Sequence, residues 1–144
     1  MKTVIAFVFL FSVVTPEWLT NFDAAIAAAA QEHKYILLNF SGSDWCGPCI
    51  KMKKEVFENE GFLSLAEKEL VLVRADFPRS KKNQLSKELV KHNEALAEKY
   101  NPSGTFPLTV LLDANGNIVK EWDGYAFATQ EKFIADLQST LASR

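Results

Sequence analysis

Apolar residues change their spacing several times along the chain, and each change marks an element. From Asn21 to His33, Phe22, Ala25, Ile26, Ala29 and Ala30 fall on one helical face, with Asn21 or Thr20 placed to cap its start. Tyr35 to Phe40 (YILLNF) is almost unbroken apolar, the pattern of a strand covered on both faces. The stretch from Cys49 to Phe57 and a shorter one from Phe62 to Lys68 predict helices, and Leu70 to Asp76 (LVLVRAD) predicts a second buried strand. Phe77-Pro78-Arg79-Ser80 breaks that strand. Ser80 to Tyr100 then predicts a charged amphipathic helix, with Leu85, Leu89, Leu96 and Tyr100 as its apolar stripe, ended by Asn101-Pro102-Ser103-Gly104. Thr105 to Asp113 predicts a third strand. Asn115-Gly116 between apolar segments is a hairpin signal, so Ile118 to Trp122 returns antiparallel. Phe133, Ile134, Leu137 and Leu141 mark a last helix over Thr129 to Leu141. This order predicts an α/β fold: a central mixed sheet with helices on both faces.

The first residues follow a different pattern. Met1-Lys2-Thr3 precedes the apolar run Val4 to Val14, one positive charge and then a hydrophobic core as in a secretory signal, although no A-x-A pattern follows. A buried first strand is the alternative for a run so rich in Val, Ile and Phe. The expected organisation is residues 1–14 as a signal peptide or N-terminal anchor and 15–144 as one domain. Export to the periplasm or beyond follows from it, with membrane attachment only if the segment is retained. No apolar stretch reaches the length of about 18 residues that suggests a spanning helix.

Composition narrows the chemistry. At 144 residues with 48% hydrophobic residues and 11 Phe, the chain has material for one sizeable core. A formal net charge of −2, with Lys and Arg scattered, excludes the basic footprint of a nucleic-acid binder. Cys46 and Cys49 are the only cysteines. A bridge between them closes a tiny loop and would stabilise the fold little. They form half of a zinc site at most, since no second C-x-x-C or H-x3-5-H accompanies them. His33 and His92 read as surface residues near helix C-termini, and Trp18 and Trp122 as packing residues.

The pair stands where a strand ends and a helix begins. First-turn N–H groups and the helix dipole favour negative charge there, so a thiolate at Cys46 is stabilised, and the thiolate is the nucleophile. Cys49, one turn further in, is placed to attack a mixed disulfide formed at Cys46. Pro48 fits the first turn, where its missing N–H forfeits no helix bond. Trp45 offers a flat apolar surface beside the reactive sulfur.

Trp45-Cys46-Gly47-Pro48-Cys49 resembles the active-site motif of the thioredoxin family, and Thr105-Phe106-Pro107 resembles its cis-proline segment. Gly124 resembles the family's glycine loop. The likeness runs from about Asn21 to Leu141 and implies a thioredoxin fold, here with an extra N-terminal helix and a lengthened helix before the cis-proline strand. It implies a thiol–disulfide oxidoreductase with Cys46 and Cys49 as catalytic pair and no metal or organic cofactor. Substrate would be held at Trp45, Gly47, Pro48, Phe106, Pro107 and Gly124, with the Phe106 main chain pairing like an added strand. Partners would be a disulfide-containing protein and an upstream thiol electron donor. Gly47-Pro48 resembles the reducing end of a range of about −270 to −120 mV. The alternatives are a reductase dedicated to one partner, in cytochrome maturation or peroxidase reduction, and a binding or chaperone module of the same fold.

Departures from the family pattern concern the proton of Cys49. With one extra residue before Trp45, Asn39 stands where thioredoxins carry a buried Asp, and an amide cannot accept that proton. Asp44, Lys53, Glu55 and Asp76 are the other candidates. Asp44 reads equally as a helix N-cap, and Asp76 as the cap of a turn. Lys54 stands where the family often has a helix proline. The lead-in Gly42-Ser43-Asp44-Trp45-Cys46 resembles exported bacterial members more than the cytosolic one.

Overall fold

The computed structural model describes residues 15–125 and 129–143. The expected signal or anchor, residues 1–14, lies outside them. The elements are β1 (Trp18–Leu19), α1 (Phe22–Glu32), β2 (Tyr35–Ser41), α2 (Gly47–Met52) continued by a π turn (Lys53–Phe57), α3 (Glu60–Glu69), β3 (Leu70–Asp76), a 3-10 turn (Lys81–Asn83), α4 (Lys87–Tyr100), β4 (Leu108–Leu112), β5 (Ile118–Asp123) and α5 (Gln130–Ala142).

The five strands form one mixed sheet in the order β1-β3-β2-β4-β5. β3 pairs in parallel with both β1 and β2, while β4 runs antiparallel to β2 and β5. Alternation along the central strands divides the core. Ile36, Leu38 and Phe40 face α1 and α4 with Val71, Val73, Ala75, Val110 and Leu112. Leu37, Leu72 and Leu111 face the other way, against Met52, Val56, Phe57, Phe62, Phe133 and Leu137. Both faces of β2 are therefore dry, which is why its sequence shows almost no polar interruption. Full burial of one such side chain contributes about 1.5–3 kcal/mol.

Local chemistry sets the ends of the elements. Asn21 Oδ1 accepts from Ala24 N and starts α1, and the chain leaves α1 through His33 in the left-handed conformation. The β4–β5 turn is closed by Asp113 Oδ1, which accepts from the amides of Asn115 and Asn117, and Gly116 supplies its φ of 79°. The Tyr100 hydroxyl donates to Gly116 O at 2.8 Å and pins this hairpin to α4.

Five expectations change. β1 adds a two-residue edge strand. The helix expected from Ser80 begins only at Lys87, because Ser86 caps it by accepting from Leu89 N, and residues 77–86 form a loop with one 3-10 turn. Strand pairing after the proline starts at Leu108 and not at Thr105. His92 lies mid-α4, half-buried, and its Nε2 accepts from Phe22 N at 3.1 Å, so it joins α4 to the start of α1. Ala30 is exposed.

Candidate active site

The site forms where β2 gives way to α2. Gly42 O accepts from Cys46 N at 2.9 Å and from Trp45 N at 3.2 Å, turning the chain sharply after the strand. Gly42 leaves room for the Trp45 indole, which a Cβ at that position would displace. Cys46 is the N-cap of α2, with extended backbone angles, and Pro48 lies in the first turn. Cys46 and Cys49 are joined in a disulfide with Cα atoms 5.2 Å apart. Cys49 N donates to Cys46 Sγ at 3.2 Å, so the helix directs a backbone donor at the first sulfur and not at the second. The two cysteines are almost equally covered, at 5% and 4% exposure, and their positions in the helix distinguish them better than their accessibility. Gly47 and Pro48 are exposed beside them.

Trp45 is the hub of the surrounding surface. Its Nε1 donates to Phe77 O at 2.7 Å, its ring meets Phe106 edge-on at 5.5 Å, and the Arg79 guanidinium lies 3.8 Å from the ring centroid. Phe106 also meets Phe77 at 5.4 Å. The contact between Trp45 and Phe106 brings the Phe106–Pro107 segment alongside the cysteine motif. That peptide bond is cis, Pro107 is buried, and Pro107 O accepts from Gly124 N at 2.8 Å. Gly124 has φ 73°, and the segment after it runs into Tyr125.

The candidates for proton transfer separate. Asn39 is 2% exposed, and its Nδ2 donates to Thr109 Oγ1 at 3.1 Å, whose hydroxyl in turn reaches Met52 Sδ at 3.8 Å. This short polar column lies beneath α2 and holds no ionisable group. Asp44 does not cap α2, since Cys46 does. Its carboxylate accepts from Arg79 N, Ser80 N and Asn83 Nδ2 at 2.9–3.0 Å and so folds the 79–83 loop back onto the turn before Trp45. These donors, the Arg79 amide foremost, hold its carboxyl below the ordinary value. Asp76 closes the end of β3, accepting from Ser43 N, Ser43 Oγ and Phe77 N. Glu55 on the π turn accepts from the Tyr125 hydroxyl at 2.8 Å. Burial, then the Glu55 carboxylate, push the Tyr125 hydroxyl up to about 12. Lys53 is exposed on the same turn. Asp44, Asp76 and Glu55 are thus engaged with loop amides or Tyr125.

Several supporting residues gave little sequence signal. Asn101, 3% exposed at the end of α4, brackets Thr105: its Oδ1 accepts from Thr105 N at 2.9 Å and its Nδ2 donates to Thr105 O at 2.8 Å. Asn93, buried mid-helix, donates to Asp76 O at 3.0 Å. Asn93 is a polar residue at a core-facing position of α4, and Asn101 is the C-cap of that helix; the sequence marked Asn101 only as part of the stretch that ends it. Among the described residues, no group of three or more His, Cys, Asp or Glu side chains could hold a metal ion. Nor is any helix of the described residues long and apolar enough to cross a membrane.

A family model described as thioredoxin-like matches residues 17–114, the span from β1 to the β4–β5 turn. The chain belongs to the thioredoxin-like family. Its relatives include the disulfide bond reductase DsbH of Chlamydia pneumoniae, 38% identical over 96 residues, which are 67% of this chain and 56% of that protein. The thioredoxin-related protein DsbJ of the same organism is 28% identical over 95 residues, 66% of this chain and 26% of that one. This thioredoxin-like chain thus spans about half the length of the first and a quarter of the second. A solved structure of a DsbH oxidoreductase matches 100% of this chain and 96% of its own at 27% identity, with a TM-score of 0.80.

Proposed function

We propose that the chain is a thiol–disulfide oxidoreductase that reduces disulfides of proteins outside the cytoplasm. The observation that carries this reading is the Cys46–Cys49 disulfide at the start of α2, with the Cys49 amide directed at Cys46 Sγ. A donor so placed stabilises a thiolate on Cys46 after reduction. That thiolate attacks one sulfur of a substrate disulfide, forms a Cys46–substrate disulfide and expels the first substrate thiolate. Cys49 then loses its proton and attacks Cys46 Sγ. The mixed bond breaks, the second substrate thiolate leaves, and the chain is left with its own disulfide. Two electrons pass from the Cys46/Cys49 dithiol to the substrate, and an external dithiol restores the pair. Asn39 holds no base, so the Cys49 proton leaves to water and not to a residue at that position.

Substrate backbone pairs along the Phe106–Pro107 segment, with Trp45, Gly47, Pro48 and Gly124 around it. The name of the DsbH relative supports a reducing direction, as does the Gly47-Pro48 spacer. Export rests on residues 1–14, which act as signal or anchor for the domain 15–144. The reading is tested by dithiothreitol-driven reduction of insulin, followed by turbidity. Acceleration by the chain, abolished in Cys46→Ser, is expected. A rate equal to that of dithiothreitol alone overturns it.

A further inference from the structure

Next to Trp45, the residue before Cys46, lies an open groove of about 460 Å³, lined by the aromatic rings of Trp45, Phe77 and Phe106, by the aliphatic Leu85 and Val90, and by Arg79. That volume suits one or two large side chains. The groove is built by the 77–86 loop, and its shape is held from several directions. Asp44 fastens residues 79–83, the Trp45 indole N–H holds Phe77 O, and Asn93 holds Asp76 O. Val90, 37% exposed, leaves an apolar wall open to water.

Charge on this loop contrasts with the rest of the chain. Residues 77–87 carry Arg79, Lys81, Lys82 and Lys87 and no carboxylate, whereas the whole chain is net −2. Of the nearby carboxylates, Asp44 and Asp76 are turned onto backbone amides of the loop and of the turn before Trp45, and Glu88 follows the loop in the first turn of α4 beside Lys87. Arg79 itself stacks on Trp45, the residue that precedes the first cysteine. Apolar surface and a cation thus stand side by side next to the residue that precedes Cys46.

We propose that this groove selects the substrate: it receives a polypeptide segment with a large apolar residue next to its disulfide-bonded cysteine and acidic residues flanking that. The inference rests on the oxidoreductase reading above and adds the chemistry of the substrate to it. The apolar side chain fills the space between Trp45, Phe106 and Val90, and the carboxylates face Arg79 in the groove and, outside it, the exposed Lys81 and Lys82 of the turn that follows Arg79. Like charges clustered on one loop attract an oppositely charged segment and raise its rate of encounter, an effect that salt screens.

The test uses two synthetic peptides, each a mixed disulfide with nitrothiobenzoate, with Phe beside the cysteine and two Glu or two Lys flanking. Release of the coloured thiol by the reduced full chain, a single turnover in which the dithiol is consumed, gives a second-order rate constant. At low ionic strength the Glu peptide is expected to react at least about tenfold faster, the lower end of what such fields do. Salt at 0.5 M should shrink the ratio, and Lys81→Glu with Lys82→Glu, both in an exposed turn, should abolish or invert it. Replacing Phe by Ala in the Glu peptide should cost about tenfold or more, as for a side chain lost from an apolar pocket. Equal rates for the two peptides, a preference unmoved by the double variant, or indifference to Phe each overturn the groove proposal. If the reduced chain attacks neither peptide, the oxidoreductase reading fails, and the groove proposal with it.

Discussion

Asn101→Ala is the substitution by which the cis-proline segment can be uncoupled from α4. The wild-type amide makes two hydrogen bonds to Thr105, one in each direction, from a position only 3% exposed. Alanine keeps the helix end but removes both partners. Each bond contributes about 1 kcal/mol net, and leaving Thr105 N–H and C=O unpaired adds to this only partly, since Thr105 is half-buried and water reaches it; the expected loss is about 2–3 kcal/mol. For a domain of this size that lowers Tm by about 6–10 °C. Urea denaturation of the oxidised form, read by circular dichroism, measures the loss. Amide exchange reads its location, with Thr105 expected to lose protection while Val110, inside β4, keeps it. A loss under about 0.5 kcal/mol, the size of an ordinary surface substitution, would refute the structural role given to Asn101.

Three further outcomes follow from the same geometry. Gly42→Ala drives a Cβ into the Trp45 indole and should cost about 1–3 kcal/mol, with a shift in tryptophan emission; unchanged emission would contradict the packing. Tyr125 has its hydroxyl raised from 10.0 to about 12, so its contribution to stability is fully present below pH 10 and is lost as pH rises towards 12. Tyr125→Phe should flatten that alkaline limb of the stability profile, and an unaltered limb would contradict the Glu55 contact. The carboxyl of Asp44 is held below 3.8, so its grip on the 77–86 loop is present above that pH and is lost as pH falls below it. Exchange of the Arg79 and Ser80 amides should quicken in that acid range, and Asp44→Ala should quicken it already at neutral pH.

What the sequence showed and what it hid divide by the range of the interactions. The unbroken apolar runs of β2 and β3 announced buried strands because both faces are covered. Asn115-Gly116 announced its hairpin because the turn needs a positive φ. Cys46 and Cys49 were legible as a pair because their chemistry is local to one helical turn. The start of α4 was misplaced because Lys81, Lys82, Gln84 and Leu85 suit a helix by propensity, while Asp44, 35 residues or more upstream, holds three of the loop's donors. Periodicity has no access to such a bond. The same holds for His92 with Phe22 and for Tyr125 with Glu55, each pair 70 residues apart. β1 escaped because two residues on a sheet edge are too few to show a period.

The central claim, that Cys46 attacks and Cys49 resolves, is tested most directly by trapping. Cys49→Ser, reduced and mixed with a disulfide-bonded protein such as insulin, should accumulate a mixed disulfide that acid quenching and peptide mass analysis map to Cys46. Cys46→Ser should accumulate none above background. An adduct that forms through Cys49 in Cys46→Ser as readily as through Cys46 in Cys49→Ser, or no adduct in either, would contradict the assigned roles.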